Sequence, residues 1–105
     1  MLNHRGVMLV FFDLPAVTKA EKKHYRQFSR FLKKEGYISL QESVYIKLLR
    51  HPSQHVPESA KLEKNSPPEG KITALPLKLD DMKKLVTILG PAFDMSFFSD
   101  DIIEF

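Results

Sequence analysis

The chain contains no cysteine and only four glycines among its 105 residues. Without cysteine there is no disulfide framework, no thiolate nucleophile and no cysteine-ligated zinc. The glycines do not match a Walker phosphate loop or a dinucleotide fingerprint, so a nucleotide cofactor is not indicated. No Gly-x-Ser-x-Gly elbow occurs, and Ser43 has no histidine or acid at a readable activating distance. An apolar run long enough to span a bilayer is also lacking. The run near the amino terminus breaks at Asp13 and carries no small-residue cleavage site, so neither a secretory leader nor a membrane partner is expected. A cytoplasmic, reducing location fits these absences.

With 43% hydrophobic residues the chain can fill one core, and a single domain over residues 1–105 is expected. Sixteen lysines and arginines face thirteen acids, a net charge of +3. The surplus favours polyanions without demanding them.

The organising stretch is Val7-Met8-Leu9-Val10-Phe11-Phe12-Asp13-Leu14-Pro15. Six consecutive apolar residues read as a strand buried on both faces, the kind that sits in the middle of a sheet. Pro15 stops it, which puts Asp13 at the sheet's carboxyl edge. Next, Thr18 and Glu21 form a capping box that opens a helix at about Lys19; it runs to Glu35, where Gly36 ends it. Tyr25, Phe28, Phe31 and Leu32 share one arc of that helix. Lys19, Lys22, Lys23, Arg26, Arg30, Lys33 and Lys34 share the opposite arc. A solvated face normally mixes both signs to gain pairs, whereas here like charges adjoin, which points to a polyanion-binding surface.

Residues 37–40 and 42–49 read as strand, with an irregularity such as a bulge at Gln41-Glu42-Ser43. A short helix is expected over 58–64 after Pro57, a loop over 65–70, and a strand over 71–77. Asp80 or Asp81 would cap a helix carrying Met82, Leu85, Val86, Ile88 and Leu89 inward as far as Gly90-Pro91. Two short strands, 93–98 and 102–105, complete the chain. Treating the short helix as an extra and setting the tail aside leaves βαββαβ, an α+β ferredoxin-like fold with two helices on one face of an antiparallel sheet. The uncovered face suggests a homodimer, sealed by residues 100–105 adding as a C-terminal strand to the partner subunit.

Asp13 is the one acid at the end of a core strand. Magnesium takes one or two carboxylates plus water and phosphate oxygens, so one aspartate is a poor site and two across a dimer axis an adequate one; the residues alone favour the simpler reading, that Asp13 caps the following turn. His51 and His55 lie four apart, but Pro52 and the loop context favour solvated histidines over zinc ligands. His24 sits on the flank of the apolar helix face and reads as a packed residue. The topology is shared with RNA-recognition modules, but their glycine-and-aromatic signature strands are missing.

Phe12-Asp13-Leu14-Pro15, Thr18-Lys19-Ala20-Glu21-Lys22-Lys23, Tyr25-Arg26-Gln27-Phe28, Phe31-Leu32-Lys33-Lys34-Glu35-Gly36-Tyr37, Gln41-Glu42-Ser43-Val44-Tyr45 and Pro67-Pro68-Glu69-Gly70-Lys71-Ile72 together resemble the Cas-two family of CRISPR-associated proteins, most closely its type II members. The resemblance covers about residues 7 to 90. It implies a ferredoxin-like homodimer that bridges copies of the larger integrase subunit and holds double-stranded DNA by its backbone during spacer acquisition. It also implies, for members that are metal-dependent nucleases of single-stranded RNA or double-stranded DNA, that the strand-end aspartate, here Asp13, pairs across the dimer axis around Mg2+. Where many members carry arginines early in the first helix, this chain has Lys19, Lys22 and Lys23, which keep the charge and lose the bidentate phosphate fork. A third reading, a ferredoxin-like regulatory dimer binding a small metabolite, lacks a glycine-rich ligand loop and leaves the basic helix unexplained.

Overall fold

A computed structural model describes residues 5–94 and residue 96 of the chain. The apolar run forms β1 (Gly6–Asp13), which lies inside a four-stranded sheet with β3 (Val44–Leu49) on one edge and β4 (Lys71–Lys78) on the other, both antiparallel to it. β2 (Ile38–Gln41) pairs outside β3, giving the order β2-β3-β1-β4. Because side chains alternate across a strand, β1 feeds two cores. Met8, Val10, Phe12 and Leu14 pack with Phe28 and Leu32 of α1 (Lys19–Lys34), with Tyr37, Tyr45 and Leu49, and with Leu62 of α2 (His55–Lys64). On the opposite face Val7 meets Ile46 together with Leu79 and Met82 of the one-turn α3 (Leu79–Met82).

The βαββαβ order is present, but other segments supply it. Residues 37–49 are not one irregular strand: the chain reverses at Glu42-Ser43 to make the β2–β3 hairpin, and Ser43 takes the left-handed φ of 63° that the turn needs. The short helix is therefore not an extra. α2 is the second helix of the fold, packed through Leu62 on the same core as α1. The helix expected over 80–89 ends at Met82, and Val86, Ile88 and Leu89 are 71%, 90% and 94% exposed. Three successive β-branched residues, Val86-Thr87-Ile88, crowd a helical backbone, and after one turn Leu79 and Met82 are already buried against Val7 and Ile46. Phe93 and Asp94 lie in no strand. The rest of the expected 93–98 strand, apart from Ser96, and the tail strand at 100–105 lie outside the described residues.

Two polar devices fix the helices. Thr18 Oγ1 accepts from the Glu21 amide at 3.1 Å while Glu21 Oε1 accepts from the Thr18 and Val17 amides at 3.0 Å each, the expected capping box with one further donor. At the other end of α1 the Tyr37 amide returns to the Leu32 carbonyl at 2.9 Å, with Gly36 at φ 97°. α2 is held by its Glu58 carboxylate, which accepts from the Tyr37 hydroxyl at 3.0 Å and from the Lys47 ammonium at 2.8 Å. Lys47 also lies over the Tyr37 ring, 5.6 Å from its centroid. Burial, aided by the Glu58 charge, holds the Tyr37 phenol above its ordinary pKa and so keeps it a donor.

Two outcomes follow for stability. Glu58→Ala strands a tyrosine hydroxyl and an ammonium, and costs about 2–3 kcal/mol in urea unfolding. That lies below the loss for a fully buried pair because Lys47 is one-fifth exposed. Glu58→Gln, which can still accept from Tyr37, costs less. The backbone bonds to Glu21 hold its carboxyl below the ordinary value of 4.5. Its contribution is therefore complete above that value and is lost as pH falls through the lowered one. Glu21→Gln keeps the cap hydrogen bonds and flattens this part of the acid limb in pH-dependent melts.

Candidate functional site

Asp13 ends β1 opposite Lys71 of β4 and lies in an open depression of about 370 Å³ whose lining includes Phe11, Glu42, Ser43, Lys71 and Thr73. Three features place it. The Phe12 amide donates to the Ser43 carbonyl at 3.1 Å, drawing the β2–β3 turn against the end of β1. The Tyr25 and Ser43 hydroxyls meet at 3.2 Å, tying that turn to α1. On the other side Gly70, at φ 99°, passes so close that a Cβ there would lie 2.8 Å from the Asp13 carbonyl oxygen and 2.6 Å from a Leu14 methyl. His24 Nδ1 reaches Glu69 Oε1 at 3.1 Å, fastening the 65–70 loop to α1 beside this crossing. His24, expected as a packed residue, is a part-exposed loop tether and belongs to neither core cluster.

The Asp13 side chain is exposed and makes no hydrogen bond or ion pair among the described residues. It does not cap the following turn. Among the described residues no three His, Cys, Asp or Glu side chains converge as metal ligands. Asp13 and Glu42, hard oxygen donors on one depression, suit an ion such as magnesium that keeps most of its water and takes phosphate oxygens for the rest. His51 accepts from the Ser53 amide at 3.1 Å, capping the 3₁₀ turn Pro52–Gln54, which accounts for it without zinc.

The basic residues of α1 lie where their spacing put them. Lys19, Lys22, Lys23, Arg26, Arg30, Lys33 and Lys34 are all exposed, opposite Phe28 and Leu32. None of the seven makes a side-chain hydrogen bond or ion pair among the described residues. The acids that could neutralise them are engaged elsewhere: Glu21 in the cap and Glu35 with Lys61 at 3.2 Å. Seven unneutralised cations on one sixteen-residue helix form a strongly positive surface. Sequence reasoning missed Glu42, Lys71 and Tyr25 as companions of Asp13. The signals for Glu42 and Lys71 were the polar break at Gln41-Glu42-Ser43 and the glycine before Lys71, but only strand register brings them to Asp13; Tyr25 had no such signal and arrives through its contact with Ser43.

The family described as CRISPR associated protein Cas2 matches residues 7–85. Proteins named CRISPR-associated endoribonuclease Cas2 are similar to this chain: one from Streptococcus mutans serotype c is 39% identical over 83 residues, 79% of this chain and 78% of the relative. Those from Treponema denticola and Acidovorax ebreus are each 36% identical over the same share of this chain, covering 82% and 81% of their own lengths.

Gly70→Ala forces a left-handed alanine and a clash with the Asp13–Leu14 backbone. It is expected to lose about 2–3 kcal/mol of stability, read by chemical denaturation, and to shift the backbone amide resonances of Asp13 and Leu14.

Proposed function

The chain belongs to the CRISPR associated protein Cas2 family, and on that premise we propose that it is a nucleic-acid backbone-binding subunit of CRISPR adaptation. In this reading a homodimer lays two copies of the α1 face along double-stranded DNA and bridges integrase subunits during spacer acquisition. The observation that carries it is the run of seven exposed, unpaired cations on α1. Such contacts are sequence-blind, position a duplex without reading bases, and release counterions on binding.

A second reading is favoured by the exposed, unpartnered carboxylate of Asp13 and by the endoribonuclease names of the relatives. Here Asp13, with its counterpart across a dimer axis, holds magnesium and the protein cuts single-stranded RNA or double-stranded DNA. Glu42 and Lys71 line the same depression; in this reading Glu42 would share the ion or its water and Lys71 would hold a phosphate oxygen. The chemistry supplied by magnesium, when bound, is polarisation of the scissile phosphate and activation of water. Asp13 would fix the ion, and the α1 cations would hold the strand on either side of it.

One experiment separates the two readings: labelled duplex DNA and single-stranded RNA incubated with the wild type and with Asp13→Ala, in magnesium and in chelator, scoring binding and cleavage. The backbone-binding reading expects duplex affinity that falls steeply with salt, equal in both proteins, and a slope reduced by about one for each contacting lysine or arginine removed. Magnesium-dependent cutting that is lost in Asp13→Ala establishes the nuclease. Cutting that survives the change removes Asp13 from the mechanism, and absence of binding by the wild type defeats the first reading.

A further inference from the structure

On the helix side of the sheet, α1 and β3 border an open, shallow recess of about 390 Å³ lined by Tyr25, Arg26, Ser29, Arg30, Lys33 and Tyr45. Arg26, Arg30 and Lys33 are spaced four and three residues apart, so they form one stripe along its lip. All three are exposed and unpaired among the described residues. The floor differs from the flat remainder of the basic face. Tyr45 is only 8% exposed and its ring stacks on Phe12 at 5.9 Å with an interplanar angle of 18°. A phenylalanine would satisfy that packing.

The Tyr45 hydroxyl nevertheless neither donates nor accepts a hydrogen bond among the described residues. No fully enclosed side-chain nitrogen or oxygen lacks a partner there, so this hydroxyl reaches the surface, and Tyr45 is one of the residues that line the recess. Within the described chain this hydroxyl is left to water, so it is free to bond a ligand oxygen without giving up an internal partner. The Tyr25 hydroxyl, by contrast, is engaged with Ser43. A tyrosine donor unused among the described residues, a serine lining the same recess and three cations along it match the oxygens and charge of one phosphate.

We infer that this recess is a phosphate-binding subsite, in which the Tyr45 and Ser29 hydroxyls donate to one phosphate of a nucleic-acid strand while Arg26, Arg30 and Lys33 meet its charge. The inference rests on the backbone-binding reading above and deepens it: a seated phosphate fixes the register of the strand on α1, which long flexible cations alone do not. The phosphate is either strand-terminal or internal.

The test compares the wild type, Tyr45→Phe, Ser29→Ala and Arg30→Ala on a short oligonucleotide carrying a 5′-phosphate and on the same strand with a 5′-hydroxyl. A parallel titration follows inorganic phosphate through backbone amide shifts. Tyr45→Phe keeps the stacking on Phe12 and therefore the fold, which a thermal melt checks. It is expected to weaken binding about tenfold with the salt slope unchanged, whereas Arg30→Ala weakens binding and lowers the slope by about one. A loss confined to the phosphorylated strand assigns the recess to a strand end, and a loss on both assigns it to an internal phosphate. Wild-type affinity in both Tyr45→Phe and Ser29→Ala overturns the subsite. If the wild type binds neither strand while inorganic phosphate still shifts the Ser29 and Tyr45 signals, the nucleic-acid reading fails and the anion site stands; absence of any shift in that case overturns both.

Discussion

The structure depends on the demand that β1 be paired on both edges and covered on both faces. Val7, Met8 and Val10 are fully buried, Leu9 is half-buried and Phe11 is the first to open widely to solvent, and every other element is placed by meeting part of that demand. β3 and β4 satisfy its backbone, α1 and α2 cover Met8, Val10 and Phe12, and α3 covers Val7. A strand so enclosed can present a polar group only where it ends. The exposure of Asp13 is thus a geometric result of burying the residues before it.

The electrostatics of α1 show a similar division. Its inner stripe is secured by packing and its ends by the capping box and Gly36, so the outer stripe contributes little to holding the helix. Mutual repulsion among the seven cations costs a few tenths of a kcal/mol per neighbouring pair, which the buried face can offset. The acids are spent at the periphery, on the cap and on Lys61. The result is a helix stabilised from one side and charged on the other, adjoining the Asp13 depression through the Tyr25–Ser43 contact.

Much of this was legible in the sequence. The doubly buried strand, the capping box, the glycine stop and the separation of basic from apolar residues are local patterns whose chemistry does not depend on distant partners. The hairpin was not legible, because its turn uses Glu42-Ser43 in place of the Asn-Gly or Asp-Gly that usually marks such a loop. The roles of α2 and of residues 80–89 were exchanged for a related reason. α2 buries a glutamate that is acceptable only because Lys47 and Tyr37 reach it, so counting apolar residues undervalues the helix. The regular apolar spacing of 82–89 overstates a segment that contributes one turn. At the site, Asp13 announced itself by position, whereas Glu42 and Lys71 became its neighbours only through pairing register, and Tyr45 reads as core until its free hydroxyl is seen.

Among the described residues β4 is an edge strand of eight residues, and Pro76 lies in it opposite Met8. Proline is tolerated in a sheet where its missing amide faces away from the neighbouring strand. One donor is therefore absent from the open rim, within a stretch that also exposes Leu75. An incoming strand must match a rim that is interrupted at a fixed place, and a partner out of register cannot form a continuous ladder. The proline thus acts as a safeguard against aggregation: it discourages indiscriminate stacking of one copy on another and leaves the rim open to a segment cut to fit.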